Sequence, residues 1–220
     1  MSEPLHCSAI LFDLDGVLVD SRAVVERTWQ RWAVRRDVKD SDLAQKAHGR
    51  RSIETVNDVA PHLDAAEEVR WLAAAELADF DGVRALPGAN SVLAALRDNE
   101  WAIVTSGGSE LARRRLGVAG LPTPRVLIAA EDVEVGKPDP DGYLLAAKRL
   151  GHVASKCVVI EDTPAGILAG RRAHAKVLAL CTTFPKLALV GADMVANSLA
   201  DIKLQRVGLE FTIQDIQRVA

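Results

Sequence analysis

The sequence predicts an α/β protein in which a parallel sheet lies between layers of helices and a small helical domain is inserted after the first strand. Two patterns support this prediction. From residue 86 onward, short apolar runs alternate with helix-like segments, as in right-handed βαβ units. Residues 20–82 show helical periodicity without a strand pattern, and they separate the first apolar run from the others. We therefore expect a core of residues 1–18 and 84–220 and a helical cap of residues 19–83.

The first strand is predicted at residues 9–12, where Ala-Ile-Leu-Phe is apolar throughout, as expected for a strand buried on both faces. Asp13 and Asp15 follow it, and alternation along an extended chain points their carboxylates the same way. Gly16 then permits a sharp turn. Acids at the carboxyl end of a buried strand lie where open α/β sheets bind ligands. Because a lone Asp-x-Asp is more often a solvated turn, this interpretation depends on the segments downstream.

The insert is predicted to contain four helices. The first spans residues 22–36, where Val25, Trp29 and Trp32 fall on one face and are expected to pack in a core. The others are expected at residues 41–48, 52–60 and 64–79. Because the insert leaves the chain just after the two acids, it lies over the ligand end of the sheet, where a lid belongs.

The remainder of the chain is predicted to follow a Rossmann-like order of strands and helices. Strands are expected at residues 101–105, 125–129, 157–160, 177–180 and 194–196. Helices are expected at residues 90–99, 109–116, 141–150 and 165–173, with a last helical turn after Ser198. Leu209, Phe211 and Ile213 alternate with polar residues and suggest an additional edge strand.

Polar groups also mark the ends of later strands. Thr105, Ser106 and Gly107 offer hydroxyl and backbone N–H groups, which together make a small anion-binding nest. Lys137 precedes Pro138, which restricts the backbone and allows the lysine to be held in one direction. Taken alone, the first segment is more often a turn, and a surface lysine explains the second equally well.

Glu161 and Asp162 follow the strand predicted at residues 157–160. Because parallel strands end at one edge of a sheet, these acids are expected close to Asp13 and Lys137. Carboxylates without His or Cys suit a hard cation, Mg²⁺ before zinc. A cation beside a lysine and backbone N–H groups suits a phosphate, so the set fits phosphoryl transfer through an aspartyl-phosphate.

The sequence resembles the haloacid dehalogenase (HAD) superfamily, whose four motifs occur here in order and at the usual spacings. The matching segments are Asp13-Leu14-Asp15-Gly16-Val17, Thr105-Ser106-Gly107, Lys137-Pro138 and Glu161-Asp162. The resemblance implies that Asp13 is the nucleophile and that Asp15 protonates the leaving oxygen and later activates water. It also implies that Thr105 and the Ser106 N–H group bind the phosphoryl group and that Lys137 neutralises charge.

The resemblance further implies a magnesium cofactor. Asp13, Asp162 and the backbone carbonyl of Asp15 would bind Mg²⁺, and Glu161 would act through bound water. The residues expected to contact the phosphoryl group are Asp13, Asp15, Thr105, Ser106, Gly107 and Lys137.

The position of the helical cap, between the first two motifs, is typical of one subfamily. Within it, the chain resembles the branch of small sugar phosphatases that includes glycerol-phosphate and 2-deoxyglucose-6-phosphate phosphatases. Matching segments lie at residues 48–51, 86–89, 101–107 and 161–167. This resemblance implies a Mg²⁺-dependent phosphatase acting on small phosphorylated sugars or polyols. In the cap, His48, Gly49, Arg50 and Arg51 form a glycine-marked break that is expected to contact the hydroxyl groups of the substrate.

Relatives in this superfamily catalyse other reactions. Asp15 argues against dehalogenases and phosphonatases, which lack an acid at that position. A β-phosphoglucomutase keeps all four motifs, but its phosphate-gripping cap arginine corresponds here to Ser52, so mutase activity is a disfavoured alternative. A non-enzymatic, receiver-like phosphate sensor is a further alternative, although receivers carry the acid pair first and the phosphoacceptor on a later strand.

Composition limits the range of partners. The 220 residues carry a net charge of −3, so we expect no nucleic-acid partner. No apolar run approaches the roughly 20 residues of a membrane span, and the N-terminus lacks a secretory pattern. Cys7, Cys157 and Cys181 are widely spaced, as expected for reduced thiols in a cytoplasmic protein, which we expect to be a monomer or weak homodimer. The arginine runs at residues 113–115 and 171–172 are interpreted as solvated charge on helices at the far side of the sheet.

Overall fold

The computed structural model describes residues 3–208 and 210–215. Within them the strands are β1 (Leu5–Cys7), β2 (Ala9–Phe12), β3 (Val19–Asp20), β4 (Arg84–Ala85), β5 (Trp101–Val104), β6 (Leu127–Ile128), β7 (Cys157–Glu161), β8 (Lys176–Leu180), β9 (Met194–Ala196), β10 (Ile202–Val207) and β11 (Glu210–Asp215). The α-helices are α1 (Arg22–Arg36), α2 (Leu43–Ala47), α3 (Ser52–Val59), α4 (Ala65–Leu77), α5 (Ala89–Ala94), α6 (Ser109–Val118), α7 (Asp141–Leu150) and α8 (Pro164–Arg172). Among these helices, none combines the length and the apolar character needed to cross a membrane.

A six-stranded parallel sheet in the order β6-β5-β2-β7-β8-β9 forms the centre of the protein. Every residue of β2 is buried, and this strand pairs with β5 on one side and with β7 on the other. Its alternate side chains face opposite layers. Ile10 and Phe12 pack in the hydrophobic cluster that includes α5 and α6, whereas Ala9 and Leu11 pack with α7 and α8. The two helical layers confirm the predicted three-layer α/β core.

Helices α1 to α4 form the predicted helical insert, which has a hydrophobic cluster of its own with residues from all four helices. The rings of Trp29 and Trp32 pack edge to face with centroids 5.4 Å apart. Trp32 Nε1 donates a 2.7 Å hydrogen bond to the buried carboxylate of Glu68, which also accepts a hydrogen bond from Arg36. The cap is therefore held together by its own apolar and polar contacts.

A two-stranded ribbon closes the base of the cap. In it β3 pairs antiparallel with β4, so that Val19 lies opposite Ala85 and Asp20 opposite Arg84. The Arg84 guanidinium donates a 2.6 Å hydrogen bond to the Asp20 carboxylate. The expectation that residues 20–82 contain no strand is therefore wrong at Asp20, which lies in this ribbon before α1 begins.

A second sheet is antiparallel, in the order β1-β11-β10. Phe211 and Ile213 are buried, so the predicted strand exists, but it joins β1 and β10 instead of extending the parallel sheet. Leu209, which belonged to the same prediction, lies outside the described residues. Strands β1 and β10 were not predicted.

Helix α5 ends at Ala94, well before the predicted residue 99. The reason lies in Glu100, whose carboxylate accepts a 2.7 Å hydrogen bond from the backbone N–H of Arg97 and further hydrogen bonds from Arg206. These contacts hold residues 97–100 in a turn that leads into β5.

Candidate active site

The polar strand ends meet at one edge of the parallel sheet. Asp13 follows β2, Thr105 follows β5, and Glu161 is the last residue of β7. The backbone hydrogen bonds of the sheet continue to Asp13 and Thr105. The Asp13 N–H donates to Ile160 O at 3.0 Å, and the Thr105 N–H donates to Ile128 O at 2.9 Å. The backbones carrying these side chains are thus fixed by the sheet.

Lys137 lies at the centre of the site, with its side chain 5% exposed. Its ammonium donates a hydrogen bond to Asp13 Oδ1, a 2.7 Å bond to Glu161 Oε1 and a 3.0 Å bond to Val104 O. These three acceptors match its three N–H donors. Burial opposes the charge of the lysine, but the carboxylates of Asp13 and Glu161 outweigh it and raise the pKa of Lys137. The lysine is therefore a fixed cation against Asp13.

Asp13, Glu161 and Asp162 form an acidic cluster, in which one carboxylate oxygen of each lies within 4.8 Å of the others. Both carboxylate oxygens of Asp162 are buried, and neither forms a hydrogen bond of normal geometry with the residues that the structure describes, although the nearby Thr183 hydroxyl acts to lower its pKa. Burial raises the pKa of Asp162 well above its usual range, and the charges of Glu161 and Asp13 add to this effect. Burial also raises the pKa of Asp13 to about 7, although Lys137 acts in the opposite direction. Clustered buried carboxylates that are costly to ionise fit a divalent cation, because hard cations prefer oxygen ligands.

Gly16 allows the chain to pass close to this cluster. Its φ angle is +87°, and a Cβ atom at this position would lie 1.9 Å from Asp162 Oδ2. A side chain would therefore be strained by the backbone and would also displace the carboxylate. The turn predicted after the first strand is thus packed directly against the acidic cluster.

Glu161 differs from Asp162 because its carboxylate has many donors. Oε1 accepts hydrogen bonds from Lys137 and from the Tyr143 hydroxyl, the latter at 2.8 Å. Oε2 accepts from the N–H of Asp162 and from the N–H and hydroxyl of Thr163. Despite burial, Lys137 and Tyr143 lower the pKa of Glu161. Glu161 thus orients the lysine and the turn that carries Asp162, and its role toward a metal ion stays a prediction. Tyr143 was missed by sequence reasoning because its position in α7 gives no sign of this partner.

Asp15 stands at the junction of core and cap. Its Oδ1 accepts a 2.7 Å hydrogen bond from the Ser21 hydroxyl, and its Oδ2 accepts a 2.9 Å hydrogen bond from Arg115 Nη1. Arg115, in α6, is only 3% exposed, so its interpretation as solvated charge on the far side of the sheet is wrong. The signal was present: residue 115 falls on the same helical face as the buried Leu111 and Ala112. A cation on an apolar face indicates a specific partner.

The predicted anion-binding turn touches the cap. The Gly107 N–H donates a 3.1 Å hydrogen bond to Thr105 Oγ1, and the Ser106 hydroxyl donates a 2.9 Å hydrogen bond to the backbone oxygen of Gly49. Gly49 has a φ angle of +75°, and a Cβ atom there would lie 2.6 Å from the hydroxyl of Thr163. The cap loop therefore approaches the core as closely as glycine permits.

The other residues of this loop have different surroundings. His48 Nδ1 lies 2.8 Å from the backbone oxygen of Ala44, and Arg50 pairs with Asp58 at 2.7 Å. His48, Gly49 and Arg50 line the cleft above Asp13 and Asp15. Arg51 instead donates a 2.7 Å hydrogen bond to the backbone oxygen of Glu134, so the structure does not bring its guanidinium into this cleft.

Arg51 and Glu54 attach the cap to the loop before Lys137. Arg51 Nη1 contacts the backbone oxygens of Val133 and Glu134, and Glu54 Oε1 accepts a 3.0 Å hydrogen bond from the N–H of Gly136. A Cβ atom on Gly136 would lie 2.5 Å from Cδ of Arg51. The cap thus buttresses the segment that delivers the lysine.

These features define a class of protein: an α/β fold with a buried carboxylate–lysine cluster at the ends of its strands, whose acids could hold a divalent cation, under a helical cap. The model of the haloacid dehalogenase-like hydrolase family matches residues 7–174. The chain therefore belongs to this family and is an enzyme of the hydrolase class. This finding confirms the resemblance inferred from the four motifs.

Several proteins are similar over nearly the whole chain. Hexitol phosphatase A of Escherichia coli (strain K12) is 40% identical over 207 residues, which cover 92% of this chain and 96% of that protein. Glycerol-1-phosphate phosphohydrolase 2 of Saccharomyces cerevisiae is 32% identical over 215 residues, covering 91% and 86%. Among solved structures, a hydrolase from Pseudomonas syringae has a TM-score of 0.80 at 28% identity, covering 88% of this chain and 94% of that one. The similarity thus includes the helical insert as well as the core.

Proposed function

We propose that this enzyme is a Mg²⁺-dependent phosphatase that hydrolyses small phosphorylated polyols or sugars through an aspartyl-phosphate on Asp13. The observation that carries the proposal is the buried contact of Asp13 with Lys137, beside the buried carboxylate of Asp162. A carboxylate, a fixed cation and a cation site together suit an anionic phosphoryl group. The similar proteins named for hexitol and glycerol-1-phosphate substrates support the polyol class.

The metal site is proposed to use Asp13, Asp162 and the backbone oxygen of Asp15. Mg²⁺ binds through one or two carboxylates and keeps several waters and substrate oxygens, which agrees with the buried carboxylates of Asp162 and Asp13 lying within reach of one ion. When bound, the ion would neutralise charge on the phosphoryl group and the surrounding carboxylates.

In the first step, a carboxylate oxygen of Asp13 bonds to phosphorus while the bond from phosphorus to the sugar oxygen breaks. Asp15 gives its proton to that leaving oxygen. In the second step, Asp15 takes a proton from a water molecule, whose oxygen attacks phosphorus, releases phosphate and frees Asp13. Lys137 favours the ionised form of Asp13 before each turnover and balances phosphoryl charge. The Thr105 hydroxyl and the backbone of the adjacent turn orient the phosphoryl oxygens.

The cap is proposed to define the space for the leaving group and to exclude bulk water. The cap loop approaches the core closely at Gly49, next to Thr163, and lines the cleft above Asp13. Ser52, which corresponds to the phosphate-gripping arginine of the mutases, lines this cleft with a small uncharged side chain. This observation supports hydrolysis over mutase activity. The separate hydrophobic cluster of the insert and the ribbon at its base support cap boundaries at residues 19 and 83.

The proposal is tested by phosphate release from glycerol 1-phosphate, sorbitol 6-phosphate and p-nitrophenyl phosphate. We expect the wild-type enzyme to be active with Mg²⁺ and inactive with EDTA, and Asp13→Asn to be inactive, because an amide does not form the phosphoenzyme. The exposed Asp98→Asn serves as a matched control. Turnover by Asp13→Asn, or full activity after exhaustive chelation, would refute the mechanism. Formation of glucose 6-phosphate from β-glucose 1-phosphate would instead identify a mutase.

A further inference from the structure

An ion pair between the buried Arg115 and the partly buried Glu76 lines the cleft above Asp13. The cleft is lined on the core side by Asp13, Asp15 and Arg115, and on the cap side by Ser52 and Glu76. Arg115 belongs to α6 of the core, whereas Glu76 belongs to α4 of the cap. The pair therefore spans the boundary between the two parts and lines the same cleft as Asp13, the proposed nucleophile.

Arg115 has hydrogen-bond donors that are not used. Its Nη1 donates to Asp15, but its Nε and Nη2 are buried and have no hydrogen-bond partner among the described residues. Buried donors without partners are costly, and in native proteins they indicate a missing polar ligand or water. Arg115 is 3% exposed and borders the cleft, so its unused donors are available to a ligand bound inside the cleft.

Glu76 supplies an acceptor next to these donors. Its Oε2 lies 3.6 Å from Arg115 Nη2, which is too long for a hydrogen bond. Burial raises the pKa of Glu76, although the charge of Arg115 acts in the opposite direction. A hydroxyl group satisfies both partners, because its oxygen accepts from the guanidinium while its hydrogen is donated to the carboxylate.

The charges at this place select against a second anion. Arg115 is flanked by two carboxylates, Asp15 at 2.9 Å and Glu76 at 3.6 Å, so it has no surplus positive charge. Arg50, which also borders the cleft, is paired with Asp58. A second phosphate would therefore meet net negative charge, whereas an uncharged hydroxyl group would not.

We propose that Arg115 and Glu76 form a hydroxyl-binding subsite that recognises the polyol part of the substrate and excludes a second phosphate. This inference rests on the proposed phosphatase function and deepens it. Specificity of this kind is strong because a substrate without the hydroxyl leaves the buried guanidinium and the partly buried carboxylate unsatisfied.

The test uses Glu76 because substitution of Arg115 would also disturb Asp15. We compare Glu76→Ala and Glu76→Gln with the wild-type enzyme on three substrates: sorbitol 6-phosphate, p-nitrophenyl phosphate and glucose 1,6-bisphosphate. For Glu76→Ala we expect kcat/KM on sorbitol 6-phosphate to fall at least about tenfold, mainly through KM. On p-nitrophenyl phosphate, which has no hydroxyl to lose, it should stay within about twofold.

Glu76→Gln separates the hydrogen bond from the charge. Its amide still bonds to a hydroxyl, so it should keep more activity on sorbitol 6-phosphate than Glu76→Ala does. Because the negative charge is gone, its use of the bisphosphate relative to p-nitrophenyl phosphate should rise. The matched control is Glu67→Ala on the same helix, where the glutamate side chain is 57% exposed and pairs with Arg36.

An equal loss on sorbitol 6-phosphate and p-nitrophenyl phosphate, or no loss on either, would overturn the subsite while leaving the phosphatase function intact. A wild-type enzyme that hydrolyses none of the three esters would overturn the proposed function and, with it, the subsite. A bisphosphate preference in the wild-type enzyme would contradict the exclusion of a second phosphate.

Discussion

Replacement of Lys137 by Met should destabilise the metal-free enzyme strongly. The substitution removes three hydrogen bonds and leaves the carboxylates of Asp13 and Glu161 buried without their cation. Loss of one partner of a buried ion pair costs about 3–5 kcal/mol. This is a large part of the roughly 5–15 kcal/mol that stabilises a typical protein. For a chain of this size it corresponds to a decrease in Tm of roughly 10 °C.

The loss of stability in Lys137→Met should be smaller at low pH than at high pH. Burial already raises the pKa of Asp13 to about 7 with Lys137 in place. A carboxyl group whose pKa is higher in the folded state than in the unfolded state favours folding as pH falls, because the folded state then binds more protons. The Lys137→Met variant should therefore be less impaired at pH 5 than at pH 8, where Asp13 and Glu161 repel each other.

The assay is urea unfolding followed by circular dichroism, with EDTA present and with Lys148→Met as a control at an exposed position of α7. The double variant Lys137→Met/Asp13→Asn should recover about 1–3 kcal/mol of the lost stability, because the amide removes one of the two buried negative charges that Lys137 had balanced. If Lys137→Met matches the control in stability at pH 8, or if the double variant recovers nothing, the reasoning about this buried cluster is wrong.

Three further predictions concern the acid, the turn and the cap. Asp15→Asn should release a burst of p-nitrophenol from p-nitrophenyl phosphate, whose leaving group needs no proton, but should lose turnover on polyol phosphates; normal steady-state rates on both would contradict its role. Gly16→Ala would place a Cβ atom 1.9 Å from a carboxylate oxygen of Asp162 and should raise the Mg²⁺ concentration needed for half-maximal activity. Its control is Gly120→Ala. Gly120 has a φ angle of +67° and no atom within 4 Å of an added Cβ, so this variant reports backbone strain alone. Glu68→Ala should destabilise the protein by about 2–3 kcal/mol in thermal unfolding at pH 7, because it removes buried hydrogen bonds. Since the hydrogen bond from Arg36 lowers the pKa of Glu68, this contribution is present above about pH 4.3 and lost as pH falls further, so a loss that is constant down to pH 3 would argue against it.

The parallel core could be predicted because its strands carry their own signal. β2 and β7 are buried on both faces and therefore read as uninterrupted apolar runs. β10 has polar residues at alternate positions and exposes much of one face, so its sequence resembles a surface loop. β1 pairs with β11 from the other end of the chain, and a local pattern contains no information on such a partner.

Some residues of the site could likewise be predicted from the sequence, and others could not. Asp13 and Thr105 follow apolar runs, and their meeting at one edge follows from parallel topology alone. Arg115 and Glu76 lie within helices, and their role arises only when α4 of the cap packs near α6 of the core. Arg115 was grouped with its exposed neighbours as a run of charge, although burial separates it from them. Partners of long side chains depend on tertiary packing, which spacing in the sequence does not encode.

The insertion of the cap also determines the order in which the protein forms during synthesis. The strand that carries Asp13 has no partner in the parallel sheet until Trp101 has been translated, and its other neighbour begins only at Cys157. The four cap helices are contiguous in the chain and share one hydrophobic cluster, so their contacts are local and form early. The nascent chain therefore completes its lid while the strand beneath it is still unpaired, and this strand is exposed to aggregation until β7 emerges from the ribosome.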